Sequence, residues 1–155
     1  MAQEEYVSFE TAKLLKEKKF PQYSFRCHYV NGTMQFEDRC GFGDDDIIAP
    51  TQQTAMRWLR EVYNIDVEAH ADCGMLGVKV YTPVIKIYKP LAKPELLTDE
   101  DKWENRWKQK SIYLCYKDDN KNVIKAIMNF DSYEEACESA IKYCLENLKT
   151  LCGTM

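Results

Sequence analysis

Two histidines and seven cysteines are the residues of this chain best suited to chemistry. Cys40, His70 and Cys73, with Cys27 and His28 nearby in sequence, are the residue types that hold zinc. Their spacing is poor for it. There is no Cys-x-x-Cys pair, and an extended strand sends Cys27 and His28 to opposite faces. The expectation is core thiols and surface histidines, with no metal and no cofactor. A nucleophilic Cys or Ser would need a base at hand. With only two histidines, and no Gly-x-Ser-x-Gly or phosphate-binding loop, no catalytic residue is assigned and an enzyme is not the favoured reading. Gly41-Phe42-Gly43-Asp44-Asp45-Asp46 is rich in carboxylates but lacks the alternating ligands and distal Glu of a calcium loop. It reads as a solvated acidic turn.

Aromatic and basic residues are the stronger lead. Arg57 and Arg60 flank Trp58, and Trp103, Arg106, Trp107, Lys108 and Lys110 cluster further on. Trp and Arg are enriched at binding hot spots, and aromatics beside cations also stack single-stranded bases. These seven cationic and indole side chains (Arg57, Arg60, Trp103, Arg106, Trp107, Lys108, Lys110) are the candidate partner surface. The net charge of −4 shows no sign of the strongly basic face of a general nucleic-acid binder. A protein partner is therefore favoured over nucleic acid. A small-ligand site or metal-dependent enzyme near His70, Cys73 and the acidic loop is a further alternative.

The cysteines are odd in number, scattered, and fall largely on apolar faces, which fits reduced thiols in a cytoplasm. The acidic opening Met1-Ala2-Gln3-Glu4-Glu5 does not read as a signal peptide. No apolar run approaches the length of a membrane span.

The elements that must position these residues follow from pattern. Residues 8–19 read as a helix capped by Ser8, with Val7 stapled to Ala12 and Pro21 beyond its end. Tyr23, Phe25, Cys27 and Tyr29 alternate with polar residues up to Asn31-Gly32, the strongest short hairpin signal. The register pairs Cys27 with Phe36, Tyr29 with Met34, and Arg26 with Glu37. A loop spans 38–49. A second helix runs from Pro50-Thr51 to Tyr63, with Ala55, Trp58 or Leu59, and Val62 inward and Asn64 as its C-cap. Ile65 to His70 alternates as a strand, Asp72-Cys73-Gly74 turns, and Val78–Tyr88 is a long strand broken or bent at Pro83. Residues 89–110 read as an insertion or excursion in which a short helix, starting near Thr98, carries Trp103 and Trp107. Ser111–Tyr116 and Asn122–Phe130 are two further strands. The last helix, Asp131 to about Lys149, has Asp131 and Glu134 as an acidic capping box. Its apolar face is unbroken from Tyr133 to Leu148, and Glu134, Glu135, Glu138, Lys142 and Glu146 lie outside. That acidic outer face argues against docking on phosphate. The order lacks regular β-α-β alternation, so the fold class is α+β: one domain over 1–155, a mainly antiparallel sheet with helices packed on it.

Three blocks also carry a resemblance. Ser8-Phe9-Glu10-Thr11-Ala12-Lys13 is one. Ala49-Pro50-Thr51-Gln52-Gln53 with Trp58-Leu59-Arg60-Glu61 and Asn64-Ile65 is the second. Phe130-Asp131-Ser132-Tyr133-Glu134-Glu135-Ala136 is the third. Together they resemble a group of small uncharacterised proteins of phages and prophages of gut Bacteroidetes bacteria. The resemblance implies a phage-related setting in the cytoplasm of a bacterial host and transfers no activity or site residue. The expected function is that of a non-catalytic accessory protein that binds another macromolecule, such as a host factor.

Overall fold

The computed structural model describes residues 5–22, 27–36, 46–90, 107–117, 120 and 123–153. Helix α1 spans Phe9–Glu17, and the Ser8 hydroxyl accepts the Thr11 amide at 3.2 Å. It ends two residues short of the expected Lys19, for a local reason. Phe20 N–H donates to the Leu15 carbonyl at 2.9 Å and Lys19 N–H to that of Lys16 at 3.1 Å, closing a Schellman motif. Lys19 holds φ +69 at the position that motif usually gives to glycine. Leu15 and Phe20, the pair that the motif brings together, are both buried. Lys19→Gly is therefore expected to raise stability by about 0.5–1 kcal/mol, read as a higher urea midpoint. A lower midpoint would contradict this account of the helix end.

Strands β1 (Cys27–Val30) and β2 (Thr33–Phe36) form the expected hairpin, with Cys27 opposite Phe36 and Tyr29 opposite Met34. Asn31 and Gly32 take the positive φ values this turn needs, +49 and +79. The Arg26–Glu37 pair lies outside the described residues. The end of the expected loop is a short strand, β3 (Ile47–Ile48), paired with β1. β1 is thus the central strand, and His28 is only 2 % exposed. The expectation of a surface histidine fails there because both faces of β1 are covered.

Helix α2 (Gln52–Tyr63) is capped by Thr51 and leaves through Asn64 in the left-handed conformation. Its buried stripe is Gln52, Ala55, Met56 and Leu59. Val62, expected inward, is 55 % exposed: it follows Ala55 by two turns on the same side, but it lies in the last turn of the helix. Trp58 is half-buried and edge-on to both Phe20 and Tyr63.

A second sheet has the order β4-β5-β6, all antiparallel: β4 Ile65–Cys73, β5 Lys79–Pro90, β6 Trp107–Tyr113. The expected break at Pro83 does not occur. Pro83 pairs with Ala69 on its β4 side, and on its other side β6 has already ended opposite Val84. Its missing N–H therefore costs the ladder nothing. Trp107–Lys110, expected in a helical excursion, is instead the first half of the edge strand β6. The helix proposed near Thr98 lies outside the described residues. The expected strand at 111–116 divides at buried Leu114 between β6 and β7 (Cys115–Lys117), and β7 pairs with β8 (Val123–Ile127).

Helix α3 (Tyr133–Glu146) crosses β4 and β5 and touches α1 and α2. Ala136, Cys137, Ala140, Ile141, Cys144 and Leu145 are buried, as the pattern requires. Its cap is Ser132 rather than Asp131. The Ser132 hydroxyl accepts the Glu135 amide at 3.1 Å, one residue later than expected. The helix stops at Glu146. The Asn147 side chain donates back to the Tyr143 carbonyl at 2.9 Å, and a short helix α4 (Leu148–Gly153) follows, burying Leu148 and Leu151. The fold is α+β, with antiparallel sheets and the C-terminal helices packed on them.

Candidate functional site

The most exposed apolar feature is the tip of the β4–β5 hairpin. β6 reaches β5 only as far as Val84, so Ala69 to Pro83 projects as a two-stranded arm. Its root is fastened where Tyr81 and Phe130 exchange backbone hydrogen bonds of 2.8 and 2.9 Å, and where Tyr81 meets the Tyr133 ring edge-on. At the tip, Leu76 is 100 % exposed and Val78 57 %. Leu76 and Gly77 take φ +67 and +74, close to the values of Asn31 and Gly32 in the first hairpin. The two turns differ in length, with Asn31-Gly32 alone between paired strands and residues 74–78 between Cys73 and Lys79, but each places a non-glycine residue at positive φ just before a glycine. Leucine is poorly suited twice over. Its Cβ is strained at positive φ, and its side chain stays in water.

Beside the arm's root is an open cleft of about 570 Å³. Tyr6, Tyr29 and Phe130 contribute aromatic walls, and Glu5, Glu134 and Glu135 contribute carboxylates; among the described residues no Lys or Arg lines it. Glu138, expected on the outer face of α3, instead closes the cleft floor. Its Oε1 accepts the Ser8 amide at 2.9 Å and the Thr11 hydroxyl at 2.6 Å, and its Oε2 accepts the Gln52 amide group at 3.3 Å. Gln52 also donates to the Glu134 carbonyl at 3.0 Å. The chain reaches this arrangement because residues 5–7 pair back onto Pro50 and Gln52, which sets the N-termini of α1 and α2 side by side. A carboxylate between two positive helix ends is favourably placed.

The candidate metal set is dispersed. His70 and Cys73 are three residues apart on β4 and face opposite sides of the sheet. Cys27 and His28 belong to the other sheet, and Cys40 lies outside the described residues. His70 Nε2 is 2.6 Å from Glu68, which also receives Lys86 at 3.0 Å. The hydrogen bond from His70, then that from Lys86, holds the Glu68 carboxyl below its ordinary range. Among the described residues no group of three His, Cys, Asp or Glu side chains is placed to hold a metal. Burial pushes Cys137 up to about 11 and Cys144 up to about 12, so both are protonated thiols in the core rather than nucleophiles.

The aromatic-basic cluster is not assembled as expected. Trp103 and Arg106 lie outside the described residues. Trp107, Lys108 and Lys110 belong to the edge strand β6, where Lys110 is exposed. The register sets Lys110 opposite Ile87, which pairs with Ile65 just after α2. Arg57 and Arg60 are exposed on α2, and Arg60 is 3.4 Å from Asp66.

Sequence reasoning missed Leu76 and Glu138. A signal for Leu76 was present: Gly74-Met75-Leu76-Gly77-Val78 has the glycines of a turn but apolar residues where turns carry Asn, Asp or Ser. Comparison with known protein families, curated proteins and solved structures finds no match. Among the described residues no helix is long and apolar enough to cross a membrane.

Proposed function

We propose that this is a non-catalytic binding protein that holds another macromolecule, a protein, through the tip of its β4–β5 arm. The observation that carries the reading is Leu76, fully exposed at positive φ on a projecting arm. Folding gains nothing from leucine there, whereas contact with a partner would bury it. The cleft beside the arm adds carboxylates to that surface, which disfavours nucleic acid as the partner. The proposed setting is the cytoplasm of a bacterial host carrying phage genes. It rests on the three blocks of resemblance and on the buried cysteines Cys27, Cys137 and Cys144, which carry no disulfide.

The test is Leu76→Asn, since asparagine tolerates the positive φ held there. Stability is expected to rise by about 1 kcal/mol, or roughly 2–4 °C in melting temperature. Partners retained by the wild-type protein from host lysate are expected to be lost from the variant. A variant that melts lower, or that retains the same partners, would sink the reading.

A further inference from the structure

We infer that the macromolecule met by the arm is a second copy of this chain, each arm tip lying in the other copy's cleft. This rests on the arm being the binding element and names its occupant. The two surfaces complement one another. Lys79, at the foot of the tip, is the only charged side chain from Cys73 to Val80, and it follows the exposed apolar residues Leu76 and Val78. The cleft offers the reverse: aromatic walls from Tyr6 and Phe130, carboxylates from Glu5, Glu134 and Glu135, and no cation among the described residues. An apolar tip with a single ammonium fits such walls through burial of the leucine and valine and through ion pairing at the rim.

Topology makes the exchange reciprocal. Phe130 is at once a wall of the cleft and the residue that fastens Tyr81, so arm root and cleft are adjacent. The tip, roughly 15 Å beyond Tyr81 at strand rise, lies away from its own cleft. Among the described residues none from Asp72 to Val80 lines that cleft. A two-fold axis crossing the arm midway between its tip and the cleft would set each tip over the opposite cleft, and two identical contacts would close the assembly. Lys79 now stands over its own Tyr81 ring, 5.3 Å from the centroid, on the exposed side from which it would reach Glu134 and Glu135 of a neighbour.

Sedimentation equilibrium of the whole chain, from micromolar to near-millimolar concentration, tests this. The wild-type protein is expected to pass reversibly from monomer to dimer mass. Leu76→Asp changes a fully exposed side chain, so circular dichroism should be unaltered. Because the substitution acts at both contacts, association should weaken by about a hundredfold. Glu134→Lys with Glu135→Lys should weaken it as well, and Lys79→Glu added to that pair should restore it. Monomer mass throughout, or a dimer indifferent to Leu76→Asp, would overturn the second copy as occupant. The arm reading fails by a different result: Leu76→Asn that melts lower or keeps its foreign partners. A monomeric protein whose Leu76→Asn variant is more stable and loses a foreign partner sinks only the self-association.

Discussion

Glu138→Ala is expected to cost about 3 kcal/mol, a large part of the stability of a domain this size. Three donors lose their acceptor at once: the Ser8 amide, the Thr11 hydroxyl and the Gln52 amide group. Thr11 is fully buried and Gln52 nearly so, so water cannot replace the carboxylate cheaply. The α1 and α2 N-termini also lose the negative charge between them. Glu138→Gln keeps a carbonyl acceptor and should recover part of the loss. Urea unfolding of the three proteins decides it. An alanine variant within about 0.5 kcal/mol of wild type would show that the carboxylate is only a solvated surface charge.

Ile141→Ala is expected to cost about 3–4 kcal/mol. Ile141 is fully buried on α3, the helix that packs on α1, α2, β4 and β5 together, so no single neighbour can collapse into the space left. Ile141→Val should cost only about 1 kcal/mol at the same site. The two predictions differ in kind. The isoleucine series scales with the volume removed, whereas the glutamate series follows the acceptor and leaves volume almost unchanged between Glu and Gln. A cost for Ile141→Ala below about 1.5 kcal/mol would mean that α3 is more loosely packed than its burial implies.

What was legible in the sequence was local. Asn31-Gly32 fixes its hairpin through two positive-φ residues and the alternation beside it, and the register followed residue for residue. The buried stripe of α3 was likewise readable from 3.6-residue spacing alone. What escaped depends on partners distant in the chain. Glu138 looks like Glu135 or Glu146 on a helical pattern, although it lies two turns before fully buried Leu145 on the same side of α3. Its role appears only when Ser8 and Gln52 arrive beside it. The sequence pattern places Trp107–Lys110 in a helical excursion, and only the ladder with β5 makes it a strand. His28 looked like a surface residue because β3, the strand that makes β1 central, is only two residues long. At the cleft, Tyr6, Tyr29 and Phe130 come from three separate stretches, and no spacing rule unites them.

The bond between the Ser8 amide and Glu138 joins residues 130 positions apart. During synthesis, the acceptor for the leading amide of α1 is made long after α1 itself. The same holds for its apolar side, since Ala12 and Leu15 belong to one core with Ile141 and Leu145. Both hairpins can form as they emerge, because their pairings are local. The helical layer cannot close until residues 133–151 are free of the exit tunnel. Completion of the helical layer is thus tied to α3, and a chain stalled before Tyr133 would hold its hairpins while leaving α1 and α2 open to proteases.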